Sequence, residues 1–327
     1  MKGKTLQGFL IGITCVCMAF TVVNAQEKIT WKWATGSVGG SWYTEGGLIS
    51  ERLGKMVPGF TINVVPGSSI GNVTLLNRKQ ADLGMSYTIW GKVSLEGNFP
   101  FKEKHPHVRA VAKLDPNFLF FLVRPDVPIT SIEQIKQKEY PLSLCIRKKG
   151  DTSRFLGEHI FQEYGFSLED IKAWGGTLHI VSKHGEAVNL VRDRHAEGWV
   201  YLSTFGHPPT KELLAGREMN FLSISDEVLK GLKEKYGFAT FVVPANTFQR
   251  MTHDVKTVSG NIVIITHSEI PEDNIYTFTK VLMESKPALA ASYSAFKHWD
   301  VENSGEDVGF TLHPGALRYY RERGWMK

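Results

Sequence analysis

The feature that most constrains this chain is a regular exchange of short apolar segments with amphipathic ones, running from residue 29 almost to the C-terminus. Strands are expected at 29–35, 61–65, 81–86, 141–146, 178–181, 198–202 and 260–266, with two further apolar extended segments at 108–114 and 118–124. Helical spacing marks 46–56, where Leu48, Ile49, Leu53 and Met56 share a face. It also marks 71–78, 152–164, 185–194, 226–236, 271–284 and 314–323. Strands alternating with helices build an α/β fold with mainly parallel sheets.

One unit of this pattern occurs twice. "VTLLNRKQADLGMSY" overlays "VNLVRDRHAEGWVYL" when Ala81 is set on Ala196. Each copy follows a strand and a glycine-containing loop, "VVPGSSIG" in one case and "IVSKHGE" in the other. Two similar lobes facing one another explain the duplication. Ligands of open α/β sheets sit outside the carboxyl ends of the strands, so two such lobes enclose a cleft. The expected division is a first lobe at 26–118, a second at 119–232, and a return to the first lobe with C-terminal helices at 233–327.

Three loops join a strand to a helix in the same way: 36–41, 66–72 ("PGSSIGN") and 146–154 ("IRKKGDTSR"). Each gathers backbone N–H groups, hydroxyls and a helix start, a combination that suits an anion. Turn chemistry and capping by Ser68, Asn72, Thr152 and Ser153 explain any one loop alone. Three in equivalent positions favour a binding site. Trp42 and Tyr43, at the exit of the first loop, are placed to stack on a ligand. "GSSIG" at 67–71 also fits a nucleophile elbow with Ser69 as nucleophile, which keeps a secreted serine hydrolase as the alternative.

The N-terminus reads differently. "MKGKTLQGFLIGITCVCMAFTVVNAQ" carries Lys2 and Lys4, an apolar run at 9–23 and small residues before Gln26. This is the pattern of a secretory signal peptide cleaved after Ala25. Cleavage removes Cys15 and Cys17 and leaves Cys145, so no internal disulfide is expected, and Cys145 within "PLSLCI" reads as a buried thiol. The formal charge of +5 falls to about +3 once Lys2 and Lys4 are gone. The remaining charges are interspersed, which disfavours nucleic acid. "HPH" at 105–107 lacks the second cluster a metal site needs, and no phosphate-loop lysine or G-x-G-x-x-G occurs. No cofactor is expected.

"ATGSVGGSWYTEGG" at 34–47 resembles the "ATGGTGGTYYPLGG" type of segment of the TAXI family, the extracytoplasmic solute receptors of TRAP transporters. "PGSSIGNVTLLNRKQADLGMSY", "SDEVLKGLKEKYGF" and "LHPGALRYYRERG" are similar to family segments in the same order. The resemblance implies a two-lobed periplasmic binding protein of the type II-like fold, hinged and without catalysis. It also implies a small organic anion as ligand, a carboxylate or amino-acid-like compound, delivered to a TRAP-type membrane permease. The ligand-facing residues it implies are Ser37, Gly40, Ser41, Trp42 and Tyr43, then Ser68, Ser69 and Asn72, then Tyr87, and Gly150, Thr152 and Ser153 from the second lobe. The sequence departs from the family at Trp42, at Thr44-Glu45 in place of Pro-Leu, at "LSTFGHPP", and at "RKKGDTSR" in place of "GPPGSGTR". The last change brings Arg147, Lys148 and Lys149 to the second-lobe loop. Arg147 is expected to reach the cleft and pair with a carboxylate, and the ligand to present a second carboxylate or similar group there.

Overall fold

The computed structural model describes residues 28–297 and 299–327; the expected leader at 1–25 lies outside them. In chain order the elements are β1 (Ile29–Ala34), α1 (Ser41–Met56), β2 (Phe60–Val65), α2 (Ser69–Asn77), β3 (Leu83–Tyr87), α3 (Trp90–Glu96), β4 (Val108–Val123), α4 (Glu133–Gln137), β5 (Ser143–Arg147), α5 (Thr152–Glu163) and α6 (Leu168–Ala173). They continue with β6 (Thr177–Val181), α7 (His184–Arg192), β7 (Gly198–Ser203), α8 (Pro208–Gly216), β8 (Asn220–Phe221), α9 (Asp226–Tyr236), β9 (Ala239–Val243), β10 (Val255–His267), α10 (Glu272–Glu284), α11 (Lys286–Ser292) and α12 (Pro314–Glu322).

The strands form one sheet in the order β2-β1-β3-β10-β4-β7-β5-β6, with β8 added to β4 and β9 to β10. Parallel pairing, which the alternation predicts, holds within β2-β1-β3 and within β7-β5-β6. The two long strands break it: β10 runs antiparallel to β3, β4 and β9, and β4 antiparallel to β7. The sheet is therefore mixed, and its two parallel halves are joined through β4 and β10. Residues 108–114 and 118–124, read as separate segments, belong to the single strand β4. The apparent break is Asp115-Pro116-Asn117. Pro116 cannot donate to a ladder, but it lies opposite Asn261, where the register with β10 shifts, and an irregularity is where a strand tolerates proline.

Period-two burial explains β1: Trp31 and Trp33 are buried and Lys32 between them is exposed. Phe278 of α10 packs on both indoles, at centroid distances of 6.0 and 5.8 Å. In β7 every residue is buried, as expected of a strand covered on both faces. The duplicated pattern is real at the level of elements. Ala81 and Ala196 are 115 positions apart, and the same offset carries α2 onto α7 end to end and β3 onto β7 within one residue.

Candidate functional site

Four helices begin around one cavity. α1 starts after Gly40, α2 after Ser68, α5 after Asp151 and α7 after Lys183. Residues of the preceding loops or first turns, Gly40, Ser41, Ser68, Ser69, Asp151, Ser153 and His184, line the cavity together with Ser37, Trp42, Tyr87, Asn117, Arg147, Leu202 and Ser203. The positive ends of four helix dipoles thus meet at one space. The free volume is about 40 Å³, and a water needs about 10–15 Å³ of it, so the cavity holds roughly three waters.

The two halves of the molecule are latched across this cavity. Ser41 Oγ lies 3.1 Å from Ser203 Oγ and 3.3 Å from Thr204 Oγ1. Ser69 Oγ is 2.7 Å from Thr152 Oγ1 and accepts from the Thr152 N–H at 3.0 Å. Trp90 Nε1 donates to the same Thr152 oxygen at 2.8 Å. These bonds join the two sides directly.

Arg147, at the end of β5, is 2% exposed. Its Nε donates to Asp151 Oδ2 at 3.1 Å and its Nη1 to the Ser182 carbonyl at 2.7 Å, while Nη2 has no hydrogen bond among the described residues. Asp151 also caps α5, accepting from the Ser153 N–H at 2.8 Å. Lys148 and Lys149 are exposed and outside the cavity, so of the three basic residues only Arg147 enters the site. The loop turns away at Gly150, whose φ of +88° is strained for residues with a Cβ.

Behind this wall lies an aromatic and imidazole cluster. The Trp199 and Tyr201 rings stack at 3.7 Å, and the His184 and His207 rings meet edge to face at 4.5 Å. Burial, then the Arg147 charge, brings His184 down to about 3. Burial, His184 and Arg147 together hold His207 well below the usual imidazole range. Both are neutral at neutral pH. Four buried polar atoms on cavity-lining residues lack a partner among the described residues: Ser37 Oγ, Trp42 Nε1, Asn117 Oδ1 and His184 Nδ1. Unpaired buried groups are costly and normally rare. Their concentration here is the mark of a ligand site.

Of the sequence-predicted residues, Ser37, Gly40, Ser41, Trp42, Ser68, Ser69, Tyr87, Arg147 and Ser153 line the cavity. Tyr43, Asn72, Gly150 and Thr152 do not. The Asn72 amide is spent on the scaffold: Nδ2 donates to the carbonyls of Ala34, Thr35 and Met85, and Oδ1 accepts from the Ser68 N–H. This ties β1, β3 and the start of α2 together, at a place so close that a Cβ on Gly67 would lie 2.2 Å from Asn72 Oδ1. Thr152 is consumed by Ser69 and Trp90, Tyr43 is half-buried on α1, and Gly150 is exposed. Ser69 Oγ is bonded to Thr152, and among the described residues it has no hydrogen bond to a histidine or carboxylate of the kind a serine nucleophile requires.

Asn117 and His184 were missed from sequence. Asn117 looked like part of a break between strands. His184 did carry a signal, since the 115-residue offset places it on Ser69 and Leu202 on Tyr87, and all four line the cavity.

Two linked α/β lobes closed over a polar cavity define the architecture of a periplasmic solute-binding protein. The NMT1-like family matches residues 33–324, and the chain belongs to it. Solved structures share the fold at low identity. The periplasmic binding protein BugD matches with a TM-score of 0.52 at 12% identity, over 91% of this chain and 94% of that one. MatC from Rhodopseudomonas palustris, solved with bound malate, matches with a TM-score of 0.52 at 15% identity, over 92% and 98%. A further periplasmic transporter matches with a TM-score of 0.54 at 12% identity, over 92% and 94%.

Proposed function

We propose that this protein is an exported receptor that captures a small organic anion, a carboxylate or amino-acid-like compound, in the cavity around Arg147 and delivers it to a TRAP-type membrane permease. The observation that carries the reading is the set of unpaired buried polar atoms beside a guanidinium with a free Nη2, at the meeting point of four helix N-termini. The carboxylate accepts from Arg147, Ser37 and Trp42, groups that otherwise stay unpaired on closure. The lobes, at 26–118 with 233–327 and at 119–232, swing apart to release it. Binding energy selects the closed state. The TAXI-like segments and the leader-like N-terminus support export and a permease partner.

A thermal-shift screen of the protein against carboxylates and amino acids tests this. A ligand at a hundred times its dissociation constant adds about 2.7 kcal/mol of stability. A screen in which no carboxylate and no amino acid stabilises the protein refutes it.

A further inference from the structure

We infer that the ligand is a small hydroxy monocarboxylate of two to four carbons, its carboxylate on Arg147 and its hydroxyl on Asn117. This rests on the function proposed above and narrows it.

Charge comes first. Among the residues lining the cavity, Arg147 is the cation and Asp151 its counter-charge, 3.1 Å away. Lys148 and Lys149 face solvent, and the neighbouring His184 and His207 are kept neutral by burial and Arg147. The wall therefore offers one carboxylate a free Nη2 and four helix dipoles, but gives a second carboxylate no charge partner. A buried, unpaired charge is strongly disfavoured. An ammonium group fares no better. It faces Arg147 and the same positive helix ends, and the charge of Asp151 is already offset by Arg147.

Asn117 then asks for a donor. It is 3% exposed, its Nδ2 donates to Tyr87 Oη at 2.8 Å, and its Oδ1 is buried without a partner. A carboxylate cannot satisfy a carbonyl acceptor, whereas a hydroxyl can. Space limits the length of the ligand. Room for roughly three waters, about 30 Å³ of liquid each, accommodates a ligand of about four to seven heavy atoms. In so short a molecule the hydroxyl lies within one to three carbons of the carboxylate. Trp42, Tyr87 and Leu202 supply the apolar contacts for a methyl or ethyl group.

Titration calorimetry of the purified protein with glycolate, L-lactate, acetate, propionate, L-alanine, malonate and L-malate decides it. Glycolate or lactate is expected to bind at least about tenfold tighter than the others, because the analogue without the hydroxyl leaves Asn117 Oδ1 unpaired. Asn117→Ala should bring the lactate-to-propionate ratio close to one; the wild-type ranking stands whether or not that variant folds. Propionate or acetate binding as tightly as lactate overturns the inference, as does alanine, malonate or malate binding tighter. If this panel fails while a larger carboxylate binds, the inference falls and the proposed function survives. If no carboxylate of any size binds, both fall.

Discussion

Glu45 is a test of how burial acts in this fold. It lies on α1, one turn after the cavity residue Ser41, is 2% exposed, and neither carboxylate oxygen has a partner among the described residues. Burial, and then the charge of Asp115 on β4, pushes its pKa up to about 8. Burial raises Asp115 as well, to about 7. Below the unfolded-state value near 4.5 both states of Glu45 are protonated, and the group costs nothing. As pH rises from there, the unfolded chain releases the proton while the folded one keeps it, so stability falls until pH passes about 8. The slope approaches about 1.4 kcal/mol per pH unit, which makes the whole window worth on the order of 5 kcal/mol. Glu45→Leu places here the residue type of the TAXI segment that this stretch resembles, and it removes the titration. Urea unfolding of both proteins at pH 5, 6, 7 and 8 should show the variant gaining stability relative to wild type by several kcal/mol across the series. A difference that stays flat with pH would refute a buried neutral Glu45. The same neutrality keeps a negative charge away from an anion site one helical turn distant.

Arg147→Ala should weaken carboxylate binding by about 1.5–3 kcal/mol, and it should also destabilise the fold by leaving Asp151 without its ion pair; calorimetry and denaturation report the two effects separately. Ser69→Ala should leave the protein folded and able to bind, with affinity lowered only modestly through the lost Ser69–Thr152 latch; loss of all binding would contradict a latch role. Small-angle scattering should show a smaller radius of gyration with saturating ligand than without, and an unchanged value would count against hinge closure. Intact-mass measurement of protein recovered from the periplasm should give a chain beginning at Gln26, and a chain still beginning at Met1 would exclude cleavage after Ala25.

Much of the architecture was legible because local patterns and tertiary needs agree. The periodicity at 226–236 became α9 without adjustment, and the strand-glycine-helix loops became the rim of the cavity. The internal repeat could have been read further, since it superposes His184 on Ser69 in position as well as in pattern. What escaped was decided by long-range geometry. Nothing local says that Asp115-Pro116-Asn117 continues a strand, because that depends on β10 tolerating an irregularity opposite Pro116. Nor does the sequence distinguish Asn72, whose amide is exhausted by backbone, from Asn117, whose amide is half unpaired. The basic run at 147–149 looked like a landing for a second carboxylate; β5 points Arg147 inward, while Lys148 and Lys149 are left in solvent.

The central claim is that closure of two lobes traps a small carboxylate against Arg147. A crystal structure of the protein grown with its tightest-binding carboxylate tests it most directly. The account predicts the ligand in the cavity between α1, α2, α5 and α7, with a carboxylate oxygen at hydrogen-bond distance from Arg147 Nη2 and from Ser37 or Trp42. A ligand bound elsewhere, or in the cavity with Arg147 still bonded to Asp151 and Ser182 alone, would contradict it.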